Sequence, residues 1–196
     1  MPKYRNTGRQ RFGAAAGMLA PIPAFICILS AIASYPAFSW SSNALSDLGV
    51  VAGITEVLFN FGVVASGVLA LNFAAFGLYS YLGKNWVGKI GAAVFAAAAI
   101  ALIAIGVFNE HYSGMHYAVS VAFFTLMPIS MFIITCAFLL AHRGRMAIFT
   151  VSTGIAAALS WILLFVFNYV PNVAIPEFVS GLIVSAWTII LGYKML

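Results

Sequence analysis

Charge is what this chain has least of. Its 196 residues include only four acidic and nine basic side chains, 7% in all, where a soluble globular domain carries about a quarter. That scarcity excludes a domain wrapped in a water-facing surface. Cysteine is rarer still, with Cys27 and Cys136 the only two. Both fall inside apolar runs, where a thiol behaves as a small hydrophobe. The absence of any CxxC or Cys/His ligand spacing argues against a disulfide framework or a zinc ribbon. HExxH, GxSxG and GxxxxGK[ST] stretches are also missing. The formal charge of +5 leaves no nucleic-acid footprint, because the basic residues stand in short clusters at the ends of apolar runs.

What is present is hydrophobic length. Hydrophobic residues make up 64% of the chain and the mean hydropathy is +1.07. Windows long enough to cross ~30 Å of hydrocarbon at ~1.5 Å per residue occur six times, at 13–34, 54–82, 87–108, 115–141, 146–169 and 176–194. The basic stretch Met1–Arg11 precedes a run longer than a signal peptide's apolar region, so the first helix is expected to be retained. Every Lys and Arg falls before the first window, between the second and third or at the very start of the third (Lys84, Lys89), between the fourth and fifth, or at the end of the sixth. The positive-inside rule puts that side in the cytoplasm. The expectation is an all-α, six-transmembrane-helix bundle, a single domain in the plasma membrane with both termini cytoplasmic.

The other side collects the acids. Asp47, Glu56, Glu110 and Glu177 are all four of them, and each lies in or beside an outward connection, as do His111 and His116. The first of these connections, about 34–53, is too long for a bare turn and carries Trp40 and a Ser/Asn cluster. It suits an interfacial segment or a short lid-like helix. Asp47, with Ser46 beside it and Gly49 two residues on, fits a turn or cap as readily as a functional carboxylate. Glu56 and Glu177 open helices whose dipoles favour an acid, and Pro176 suits a first turn. Asn60 lies one turn below Glu56 on the same face, where an amide inside a membrane helix needs a partner or a wet cavity. Ser113 is expected to cap the fourth span, with His116 in its first turn and Ser120 below. Pro128 is expected to kink that span.

His116 just inside the outer interface suits a metal ligand, a general base or a hydrogen-bonding strut. Two classes of function follow. One is a protein that binds a lipid or a membrane partner in an outward polar pocket formed by Asn60, Glu56, Glu110 and Glu177. The alternative is a membrane-embedded hydrolase or transferase acting on lipid head groups, with Asp47, His116 and Ser46 as catalytic residues. Zinc or another divalent metal on Asp47, His111 and His116 belongs to that alternative alone.

The order Ser46-Asp47-Leu48-Gly49, Phe59-Asn60, Gly106-Val107-Phe108 with His111 and His116 before Phe123-Phe124, and Ile175-Pro176-Glu177 resembles the prokaryotic membrane family called Domain of Unknown Function 998. The resemblance covers nearly the whole chain and implies six helices, with Ser46, Asp47, Asn60, His116 and Glu177 at recurring polar positions. It brings no substrate. More distantly, the chain is similar to the Frag1/DRAM/Sfk1 group, associated with lipid organisation, and to ceramidase-like transmembrane hydrolases, which use Ser, Asp and His around zinc. It lacks the paired histidines those hydrolases carry on their final helix.

Overall fold

Six apolar runs with short breaks leave the backbone one way to satisfy its polar groups inside hydrocarbon, which is to close them within helices. The computed structural model describes residues 8–83 and 85–196, and every regular element among them is helical. Lys3, Arg5 and Lys84, three of the topology markers, lie outside the described residues. The first span, Gly8–Ser34, consists of α1 (Gly8–Leu19) and α2 (Pro21–Ser34). The second, Ile54–Tyr81, runs as α3 (Ile54–Asn72), a π-helical segment Phe73–Leu78 and a last turn α4 (Tyr79–Tyr81). The third is α5 (Trp86–Val107) and the fourth a 3-10 turn Glu110–Tyr112 leading into α6 (Ser113–Leu140). The fifth and sixth are α7 (Gly144–Phe167) and α8 (Ala174–Met195). All six are long and apolar enough to cross a membrane, and their boundaries lie close to the six windows read from hydropathy.

Two local differences have physical reasons. The first window is not one helix: Pro21 and Pro23 lack the N–H groups that the carbonyls of Gly17 and Leu19 would need, and the chain turns at Ala20. Ser113 is not a cap but the first residue of α6, and Tyr112 holds the cap position. The capping at that corner comes earlier, where Asn109 Oδ1 accepts from the peptide N–H of His111. Through Pro128, α6 continues as one helix.

The spans close into a ring. α2 packs on α3, α3 on α5, α5 on α6, α6 on α7, α7 on α8, and α8 on α1. Because α1 rather than α2 lies against α8, the backbones of α2 and α8 hardly approach each other beyond the Pro21 break. The outward surface of the ring is apolar, with Phe61, Ile148, Phe165 and Leu182 among its exposed residues, as hydrocarbon contact requires.

The half of the ring nearest the termini is packed through small residues. A Cβ on Gly13 would stand 2.1 Å from the backbone nitrogen of Gly77 in the π-helical segment. One on Gly192 would stand 2.7 Å from the carbonyl oxygen of Ala14. Such contacts let helix backbones touch, the usual basis of association in lipid. Phe73, Phe95 and Trp187, all fully buried, interlock with centroid separations of 5.7 to 6.2 Å. The Trp187 indole N–H is satisfied by Thr150 Oγ1 at 3.1 Å.

Candidate functional site

The long connection between α2 and α3 folds over the other end of the ring as a cap, and nearly every polar residue there is engaged in fixing it. Ser46–Val50 form a single 3-10 turn rather than a longer helix. Asp47 organises the turn from below: its Oδ2 accepts from Asn43 Nδ2 at 2.6 Å and from the peptide N–H of Ala44 at 3.1 Å. Asn43 in turn accepts from the Ser39 N–H through its side chain and from the Ala174 N–H through its carbonyl. Asn172 donates to the carbonyl of Ser42. The last connection is thus tied to the first by two separate hydrogen bonds.

The neighbouring residues of the turn each reach a different carboxylate. The peptide N–H of Leu45 donates to Glu177 Oε2 at 2.7 Å, and the Ser46 hydroxyl donates to Glu110 Oε1 at 2.7 Å. Glu177 comes from the first turn of α8 and Glu110 from the turn before α6. The far end of the cap is held by amides: Asn60 and Asn109 both donate to the carbonyl of Gly49 at 3.0 Å, and Asn109 also approaches Glu56 Oε1 at 3.4 Å. A side chain at position 49 would collide with Asn60, whose Oδ1 would lie 2.7 Å from the added Cβ. That oxygen is itself buried without a hydrogen-bond partner.

The structure therefore gathers Ser46, Asp47, Glu56, Asn60, Glu110 and Glu177 into one cap. The histidines sit differently. His116, 7% exposed, uses Nδ1 on the carbonyl of Phe108 at 2.8 Å. In a neutral ring that donates there, Nε2 is left as an acceptor. His111 stands exposed in the turn before α6. Among the described residues no group of three or more His, Cys, Asp or Glu is placed to hold a metal ion, so Asp47, His111 and His116 do not converge as ligands.

Beneath the cap lies a cavity of about 140 Å³, surrounded by α2, α3, α5, α6 and α8. Its walls carry six phenylalanines: Phe25, Phe59, Phe95, Phe123, Phe124 and Phe178. Leu45, Ser46 and Glu177 form its roof, so the same residues that fasten the cap also face the cavity. Phe95 is at once part of the wall and a member of the packed cluster with Phe73 and Trp187. On the side where α2 and α8 stand apart, closure comes from aromatic edges: Phe25 on Phe178 at 5.4 Å, Phe178 on Trp40 at 5.1 Å, and Trp40 on Phe38 at 5.4 Å.

A family model described as "Protein of unknown function (DUF998)" matches residues 18–194. The chain belongs to the DUF998 family. No curated protein and no solved structure matches it. In this DUF998 chain the matched region takes in the cap, the cavity and every helix from α2 to α7, with α8 to Lys194, and only the last two residues of α1. Sequence reasoning found the carboxylates but missed three contributors. Asn43 and Asn109 lie in the outward connections and join other elements to the cap, yet nothing in their local pattern separates them from ordinary turn asparagines. The cavity was missed outright, since phenylalanines at helical spacing read as core until a void is found between them.

Proposed function

We propose that this integral membrane protein binds a lipid, holding part of its hydrocarbon chain in the cavity with the polar end against Ser46 and Glu177. The observation that carries this reading is the cavity itself, which combines an aromatic wall with a roof bearing a hydroxyl and a carboxylate. Its volume of about 140 Å³ is close to that of an engineered apolar cavity of ~150 Å³ that stays dry and takes up benzene. A void with walls this apolar favours a hydrocarbon chain over water, and the polar roof then selects which molecule stays. The cap would face outward under the positive-inside reading.

The test is lipid content. Lipid extracted from detergent-purified protein is quantified per mole of chain, beside Gly181→Leu. A Cβ at Gly181 meets nothing within 4 Å, and Gly181 lines the cavity, so a leucine there fills the void. The expected result is retained lipid in the wild type, most of it lost from the variant at an unchanged elution profile. Equal lipid in the two proteins would sink the reading.

A membrane-embedded hydrolase or transferase is the second reading, and one contact favours it. The Ser46 hydroxyl faces the cavity while donating to Glu110, a hydroxyl-on-carboxylate arrangement that general-base activation requires. Retained lipid that is cleaved over time by the wild type and not by Glu110→Gln would support it. Lipid recovered intact from both proteins would count against it.

A further inference from the structure

The wall of the cavity is not equally thick all round. α2 packs on α3, α3 on α5 and α5 on α6, and α7 stands behind the gap between α6 and α8. Between α2 and α8 no described element fills that place, because α2 departs at Pro21 while α1 keeps the contact with α8. One layer of side chains is what separates the cavity from the membrane there. Phe25 and Phe178 both line the cavity and are both half-buried. Their neighbours Ile22, Ile26, Val179 and Leu182 are exposed. The two rings meet edge to face at 5.4 Å, and Trp40 of the cap meets Phe178 at 5.1 Å.

The cap is closed by other means. Hydrogen bonds fasten it to the last connection, to α8, to the turn before α6 and to α3. A molecule entering through the cap would leave several of those groups unpaired at once, each at its full desolvation cost. A chain that parts Phe25 from Phe178 only exchanges ring contacts for contacts with its own carbons. Volume points the same way. A void of about 140 Å³ is the size that takes up one benzene, whereas an acyl chain reaches through half of a hydrocarbon core ~30 Å thick. Such a chain does not fit whole, and the part left over has to pass through a wall.

We infer that lipid chains enter and leave the cavity sideways, from the bilayer, between α2 and α8, with the Phe25–Phe178 contact as the barrier and Trp40 holding it shut. The bound lipid lies across this seam, part of its chain in the cavity and the rest still in the surrounding leaflet. This rests on the lipid-binding reading above and adds the route.

The test times that entry. Cys27 and Cys136, both free thiols, are replaced by alanine. A reducible bis-thiosulfonate then bridges Phe25→Cys to Phe178→Cys in one chain. In another it bridges Ser42→Cys to Asn172→Cys across the cap, where the native amide donates to the Ser42 carbonyl. The full chains are reconstituted in phosphatidylcholine vesicles, and a fatty acid with a diazirine near its methyl end is added. After brief flashes, labelling of Val63 and Phe123 in the cavity wall is followed by mass spectrometry against that of Phe165, which is exposed. Bridging the seam is expected to slow cavity labelling at least about tenfold and reduction to restore it, while bridging the cap changes it by less than about twofold. Phe178→Ala, which needs no bridge, is expected to quicken it about threefold. Slower labelling on bridging the cap but not the seam, or one rate in all chains, overturns the lateral route and leaves the lipid-binding reading standing. Phe165 labelled and the cavity wall unlabelled in every chain, bridged or not, overturns both.

Discussion

The two ends of this helical ring are built by opposite means. Near the termini, backbones touch through Gly13, Gly77 and Gly192, and three large aromatic rings fill what space remains. At the capped end α2 stands away from α8, a cavity opens, and stability comes from hydrogen bonds that fasten one long connection to its neighbours. The break at Ala20 and Pro21 is where one regime gives way to the other. In lipid, where burying apolar surface gains little between helices, close packing and polar contacts are the two available sources of association. This chain uses each at a different depth.

The sharpest way to break the contrast is to add the same atom at both ends. In Gly13→Ala the new methyl collides with the Gly77 backbone, which cannot yield as a side chain would. The expected loss is about 3 kcal/mol, at the upper end for overpacking, seen as a lower thermal midpoint in detergent. Gly181→Ala places its methyl in open space and is expected to stay within ~0.5 kcal/mol of the wild type. Similar midpoints for the two variants would mean that the glycines near the termini are not what holds that half.

Fastening the cap should show intermediate effects. Ser46→Ala removes the donor to Glu110, and Asp47→Ala removes the acceptor shared by Asn43 and Ala44. Hydrogen bonds to charged groups are worth roughly 1.5–3 kcal/mol each. Both changes are expected to raise amide exchange across residues 43–50 while exchange in α5 and α8 near Trp187 stays as it was. A rise that spread equally to both ends would show that the cap and the packed half unfold as one unit rather than separately.

The sequence disclosed this division unevenly. Helix number and limits followed from hydropathy, because a span must be both long and apolar, and the acids stood out because the chain has so few. Asn60 reads in the sequence as an amide in need of a partner or a wet cavity, and in the structure its Nδ2 meets the carbonyl of Gly49, which no side-chain pattern announces. His116 is open in the sequence to three readings, a metal ligand, a general base or a hydrogen-bonding strut, and in the structure one of its nitrogens meets the carbonyl of Phe108. In both cases the partner is a backbone carbonyl at the end of an element, fixed only once the connections are folded. The cavity was illegible for a related reason. Ser66 and Phe59 have the spacing of packing residues, and only the divergence of α2 from α8, set by two prolines, leaves space in front of them.

The smallest effect is expected from a residue that looks as though it should matter. Asn72 is an amide within the second span, at the junction of α3 with the π-helical segment, and such residues often hold membrane helices together. Its Nδ2, however, donates to the carbonyl of Val68 one turn back, in its own helix. Among the described residues no second element is hydrogen-bonded to it. Replacing it by leucine forfeits a local bond and gains apolar surface suited to hydrocarbon, two terms of opposite sign and similar size. Asn72→Leu should therefore stay within ~0.5 kcal/mol of the wild type in a thermal scan, whereas Asn60→Leu frees the Gly49 carbonyl from one of its two donors and should lose about 1–2 kcal/mol. Equal losses would show that the second span is stabilised by its own amides rather than by what they reach in the cap.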